Sequence, residues 1–151
     1  MKRLTHNVRV LVIDGERALV LRNAGEAARP DLQLVKSYGQ EEASANEKGS
    51  GKPPARINES TSHQASVKTA DPRQQDEDRF VAQVVADMEA GLRAGEYTEL
   101  IVVAPPVALG VFRKEAPAAV TKATVMEINK DLTKHKTAEI AAIVVKALEA
   151  A

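Results

Sequence analysis

The chain contains no cysteine and no tryptophan, which excludes disulfides, thiolate nucleophiles and Cys-ligated zinc. Aromatic residues make up only 3% of its 151 residues, so the core must be built from Val, Ile, Leu and Ala, and rings for stacking on bases are scarce. Net charge is missing too: 21 basic and 21 acidic residues cancel. Such a chain has no overall field to draw in nucleic acid or an anionic membrane, and only a local patch could do so. No apolar run approaches the length of a membrane span. The opening MKRLTHNVRVLVID carries two early positive charges, but its apolar run is short, interrupted by Arg9 and closed by Asp14. It reads as a strand and not as a secretory leader, so the expected location is the cytoplasm, with no membrane partner. There is no P-loop, no G-x-G-x-x-G, no H-E-x-x-H and no Ser/His/Asp pattern, and accordingly no cofactor and no metal is expected.

What is there is enough for one domain with one core. The stretch Tyr97–Phe112, YTELIVVAPPVALGVF, organises the rest. Leu100–Ala104 is a continuous, β-branched apolar run, too short for a globular helix, and reads as a strand buried on both faces. Pro105-Pro106 ends it, because proline donates no ladder hydrogen bond, and a helix can begin at once with proline in its first turn. A central strand feeding a helix places the open edge of a sheet at those two prolines, the usual position for a site in an α/β fold.

Upstream, Val8–Ile13 forms a first strand, Asp14-Gly15 signals a tight two-residue hairpin, and Arg17–Arg22 returns as the second. Asp31–Ser37 gives a third, with Leu32 and Leu34 on one face and a wet opposite face suited to a sheet edge. From Tyr38 to Ala70 the only large apolar residues after Tyr38 are Ile57 and Val67. This segment, 38–70, reads as a long polar, mobile loop within a single domain spanning 1–151. Asp71-Pro72 then caps and starts a helix, with Gln74 at the capping-box position and Asp76, Glu77 and Asp78 near the positive end of the dipole. Phe80, Val84, Val85, Met88 and Leu92 share one face, and Gly95 is placed to end the helix. Downstream come a short helix ending near Pro117, a fifth strand at Ala123–Ile128, and a last helix capped by Thr137 with Ile140, Ile143, Val144 and Leu148 on one stripe. The order β-β-β-α-β-α-β-α with right-handed crossovers predicts an α/β fold with a five-stranded mixed sheet of order 3-2-1-4-5. Helices cover both faces. At the level of topology this is ribonuclease H-like.

The segments VLVIDGERALVL, HQASVKTADPRQQDEDRFVAQVVADMEAG, YTELIVVAPPVALGVFRKE and EINKDLTKHKTAEI together resemble the bacterial host-attachment protein family, proteins required for attachment to host cells. At fold level that family looks like the central domain of archaeal and eukaryotic peptide-chain release factors. Those factors carry Gly-Gly-Gln between the third strand and the next helix. Here the place holds Tyr38-Gly39-Gln40, one glycine short, so peptide release is not carried over.

Asp14 and Asp131 are expected at the same sheet edge, as Mg²⁺ ligands in a nuclease or as turn residues. Turn chemistry is favoured, because Ala104-Pro105 supplies no third acid. His63 with Gln64, and His135, are candidate acid/base or binding groups; the His63–Asp71 stretch is the better binding segment. Lys130, Lys134, His135 and Lys136 form a basic cluster that suits phosphate contacts or a solvated helix entrance. Two functions follow. The first is a non-enzymatic cytoplasmic interaction or regulatory protein associated with attachment to host cells, with an unidentified protein partner. The alternative is an RNA- or ribosome-associated, release-factor-like domain, with or without hydrolytic activity.

Overall fold

Val10, Leu11, Val12 and Ile13 are fully excluded from solvent, which requires their strand to lie in the middle of a sheet covered on both faces. The computed structural model describes residues 3–39 and 72–150. Along the chain it has β1 (Arg9–Ile13), β2 (Ala18–Asn23), β3 (Leu32–Tyr38), α1 (Pro72–Arg93), β4 (Leu100–Val103), α2 (Pro106–Glu115), α3 (Ala118–Ala123), β5 (Thr124–Ile128) and α4 (Thr137–Ala150). The sheet order is β3-β2-β1-β4-β5. β1–β2 and β2–β3 pair antiparallel, β1–β4 and β4–β5 parallel, as the crossover rule demands.

Alternation along each strand feeds two cores. Leu11, Ile13, Leu100 and Val102 pack with Val81, Val84, Val85 and Met88 of α1, Leu109 and Phe112 of α2, and Val120 of α3. Val10, Val12, Ile101 and Val103 point the other way, onto Ile140, Val144 and Leu148 of α4. Among the described residues, three helices therefore cover one face and one helix the other. Arg9, the single charge in β1, is accommodated at the far end of the sheet. Its guanidinium lies over the Tyr97 ring, 5.5 Å from the centroid. It donates to Asn7 O and Oδ1, each at 3.0 Å, and to Glu96 O at 3.2 Å.

Several local expectations need correction. The hairpin after β1 is not a two-residue turn: Ile13 pairs with Ala18, and neither Asp14 nor Gly15 has positive φ. The Asp14 carboxylate instead accepts the amides of Glu16 and Arg17, which stabilises a wider loop. Leu32 and Leu34 do share a face, opposite Asn23 and Leu21, but only Leu32 is buried there. The β2–β3 register slips between Val20 and Leu21, leaving Val35 without a partner opposite, and on this outer strand Leu34 and Val35 are about half exposed. The stretch after β4 holds two helices instead of one. Pro117 has no amide to continue α2 and forces Ala116 into extended geometry, and α3 then takes up Ala123, so β5 starts at Thr124. Asp76, Glu77 and Asp78 lie beyond the first turn of α1, which holds no acid. Gln74 donates to Asp78 at 2.8 Å. The cap of α4 is Lys136 and not Thr137: the Lys136 carbonyl accepts the Ile140 amide, and its own amide donates to the Glu139 carboxylate at 3.0 Å.

The end of α1 conforms to expectation. Gly95 takes φ +79°, its amide donates to Leu92 O and that of Glu96 to Gly91 O. This is a Schellman closure that turns the chain toward β4.

Candidate functional site at the carboxyl edge of the sheet

β1, β3, β4 and β5 all run in one direction, so their carboxyl ends open onto one edge. Asp14 follows β1, Gly39 follows β3, Ala104-Pro105 follows β4 and Asn129 follows β5. The Ala104 amide donates to Ile128 O at 2.9 Å, tying the last two exits together. The first turns of α1 return to the same edge, where the Glu77 carboxyl lies over Gly15. Asp14, Gly15, Glu16, Asp76 and Glu77 line an open cleft of about 550 Å³ there.

The structure brings the two expected aspartates together. The Thr133 hydroxyl lies 2.9 Å from Asp14 Oδ2 and 3.2 Å from Asp131 Oδ1. Its single proton serves one carboxylate at a time. Thr133 is buried, so this contact staples the β5–α4 turn to the β1–β2 loop. Asp14 Oδ1 is already taken by two amides at 2.7 Å each. Its oxygens thus hold loop and turn in place. Among the described residues, no group of three or more His, Asp or Glu side chains could hold a metal ion.

Glu77 is the perturbed acid of the edge. Burial is the main cause of its raised pKa, with added repulsion from Asp78, Asp14 and Glu16. Asp78 is itself held low by the Gln74 hydrogen bond and by Lys114. A carboxyl whose folded pKa is raised contributes stability that is complete below its unfolded pKa and is lost as pH rises through the folded pKa. Glu77→Gln is therefore expected to stabilise the protein at neutral pH by a few tenths of a kcal/mol, small because solvent screens the group. The gain should vanish at about pH 4, where the wild-type carboxyl is protonated. Paired thermal melts of both proteins across that range check this, and a gain that persisted in acid would contradict it.

The remaining predicted residues are placed as follows. Pro105 caps α2 through its carbonyl, with φ −70° and ψ 168°, and Pro106 is the first helical residue. No side chain caps this helix. Lys130, Lys134, His135 and Lys136 are exposed on the β5–α4 turn. His63, Gln64 and Asp71, with most of the 38–70 loop, lie outside the described residues.

Two features of the β3 exit were not anticipated. The Tyr38 hydroxyl donates to Asp87 Oδ2 at 2.7 Å. The ring meets Phe80 edge-on at 6.4 Å, with the Lys36 ammonium 4.7 Å from its centroid. Burial, then the bond to Asp87, pushes the Tyr38 phenol well above its usual range. Next to it Gly39 has φ +80°, and a Cβ there would sit 2.3 Å from Glu16 O. Glu16, Glu77, Thr133 and Asp87 carry no sequence signal for these contacts, since each depends on a partner remote in the chain.

Against known proteins, no curated sequence matches the chain. Residues 7–144 match a family described as bacterial archaeo-eukaryotic release factor family 12. That description agrees with the release-factor part of the sequence resemblance and does not mention host attachment.

Proposed function

Because the chain belongs to bacterial archaeo-eukaryotic release factor family 12, we propose that it is a cytoplasmic, release-factor-like domain that works in association with RNA at the ribosome. The family match carries this reading, because it runs from the residues before β1 into α4 and so includes the whole sheet. The position of the β3–α1 connection supports it. That connection leaves and rejoins the domain at the carboxyl edge, beside the Asp14–Thr133–Asp131 staple, where an α/β fold presents its site.

The test is co-sedimentation of the purified protein with ribosomes from the parent bacterium. Binding at low salt that weakens as salt rises supports the proposal, since phosphate contacts are salt-dependent. Failure to pellet with ribosomes or to bind their RNA at low salt overturns it. A hydrolytic version makes a further demand: His63→Ala or Asp131→Asn must abolish turnover while the melting temperature is kept. The second reading is a non-enzymatic interaction protein associated with attachment to host cells. It is favoured by the zero net charge, which supplies no overall attraction for RNA. The same sedimentation experiment separates the two.

A further inference from the structure

The β5–α4 turn gathers Lys130, Lys134 and Lys136 in one short stretch. Elsewhere among the described residues Lys36, Arg79, Arg93, Arg113 and Lys114 are paired with carboxylates, and exposed cations without an ion pair, such as Arg3, Arg29, Lys122 and Lys146, stand singly. Lys130, Lys134 and Lys136 are exposed and form no ion pair among the described residues. Two acids stand beside them, positioned by other contacts, Asp131 against the Thr133 hydroxyl and Glu139 on the Lys136 amide, so the turn sets three lysines against two acids. The turn is also held firmly. Leu132 and Thr133 are buried beneath it, and the amides of Lys130 and His135 donate to Ile128 O and Leu132 O. α4, 14 residues long, begins here and adds the positive end of its dipole.

What the surface lacks narrows the partner. The chain has only two tyrosines and two phenylalanines. Tyr38, Tyr97 and Phe112 are buried in the core, and Phe80 packs partly buried against it. No Tyr or Phe ring is left on this edge as a stacking platform for bases, and among the described residues of the turn His135 offers only a small imidazole. The turn exposes no large apolar side chain of its own to enter a lipid interface.

We infer that the β5–α4 turn, through Lys130, Lys134 and Lys136, is a phosphate-docking surface that holds RNA by its backbone and not by its bases. This rests on the RNA-associated reading above and names the surface that would serve it. Binding through phosphates alone is independent of base sequence and steeply salt-dependent.

The test uses the full chain and fluorescently labelled RNA: oligo(A), oligo(U) and a ribosomal RNA hairpin of equal length, titrated between about 50 and 200 mM salt. The wild type should bind all three within a few-fold of one another. K130Q/K134Q/K136Q should weaken binding at least about ten-fold at low salt, and lower the slope of log affinity against log salt by roughly 2, since each lost phosphate contact is worth about 0.7. K122Q/K146Q, at exposed lysines on α3 and in the last turns of α4, should leave both unchanged. Circular dichroism confirms that each variant is folded. A triple variant with wild-type affinity and slope overturns the inference while leaving the RNA reading intact. A strong preference for one base also overturns it, because it requires base contacts. A wild type that binds no RNA overturns both, and binding to vesicles of anionic lipid alone would reassign the surface to a membrane.

Discussion

Asn23→Ala is expected to destabilise the protein by about 3–4 kcal/mol, the largest loss of any single substitution considered. Asn23 ends β2 and is fully buried, and every hydrogen-bonding position of its amide is engaged. Nδ2 donates to Leu4 O at 2.8 Å and Thr5 O at 3.1 Å. Oδ1 accepts the amides of Gly25 at 2.9 Å and Asp31 at 2.8 Å. One side chain thus joins the segment before β1, the end of β2 and both ends of the β2–β3 connection. Alanine leaves three backbone groups, Leu4 O and the amides of Gly25 and Asp31, without these partners, while Thr5 O keeps the Val8 amide at 3.2 Å. Each costs about 1–3 kcal/mol when it stays dry, and less where water can enter. Some of these groups are only part-buried, which places the total below the simple sum. The effect should appear as a lower midpoint of chemical unfolding at unchanged m-value, and a fall in Tm of roughly 10 °C. Asn23→Asp should also destabilise, since a carboxylate keeps the two acceptor contacts but faces the carbonyls of Leu4 and Thr5 without a donor. A loss below about 1 kcal/mol in the alanine variant would mean that the network does not form.

Gly39→Ala is expected to cost about 2–4 kcal/mol, or to detach the end of β3, for two independent reasons. The φ of +80° disfavours any side chain by about 1–2 kcal/mol. The new methyl would lie 2.3 Å from Glu16 O and 3.2 Å from Arg17 Cα, both backbone atoms that cannot move without opening the β1–β2 loop. This bears on the resemblance between Tyr38-Gly39-Gln40 and the release-factor Gly-Gly-Gln. Within the described residues, Gly39 has a structural necessity of its own, which by itself accounts for a glycine there. The readout combines unfolding free energy with the hydrogen-exchange protection of the Ser37 and Tyr38 amides. Wild-type stability together with unchanged protection would show that the close approach to Glu16 is not present in solution.

The fold was legible because its signals are local. Leu100–Ala104 and Val8–Ile13 are uniformly apolar over strand length, which already places them between two layers. The helix stripes of α1 and α4 follow from period 3.6, and the Gly95 cap from one residue's tolerance of positive φ. With the order of elements known, crossover handedness leaves few topologies, and 3-2-1-4-5 is one of them. Asp14, Asp131 and the basic turn were placed on one edge by the same reasoning, since parallel strands share their carboxyl ends.

What the tertiary structure alone decided is which groups meet across that edge. Thr133 touches Asp14 from 119 positions away, Tyr38 reaches Asp87 across 49, and Glu77 lies over Gly15. Side chains without periodicity or turn chemistry leave no trace of such partners in the sequence. The β1–β2 loop shows the same limit at short range, for Asp-Gly permits a two-residue turn, yet the Asp14 carboxylate stabilises a wider one that also suits Thr133 and Gly39. Composition and periodicity settle where the backbone goes, because burial depends on each residue's own polarity. The chemistry of the edge depends on pairs, and pairs are chosen only once the chain has closed around them.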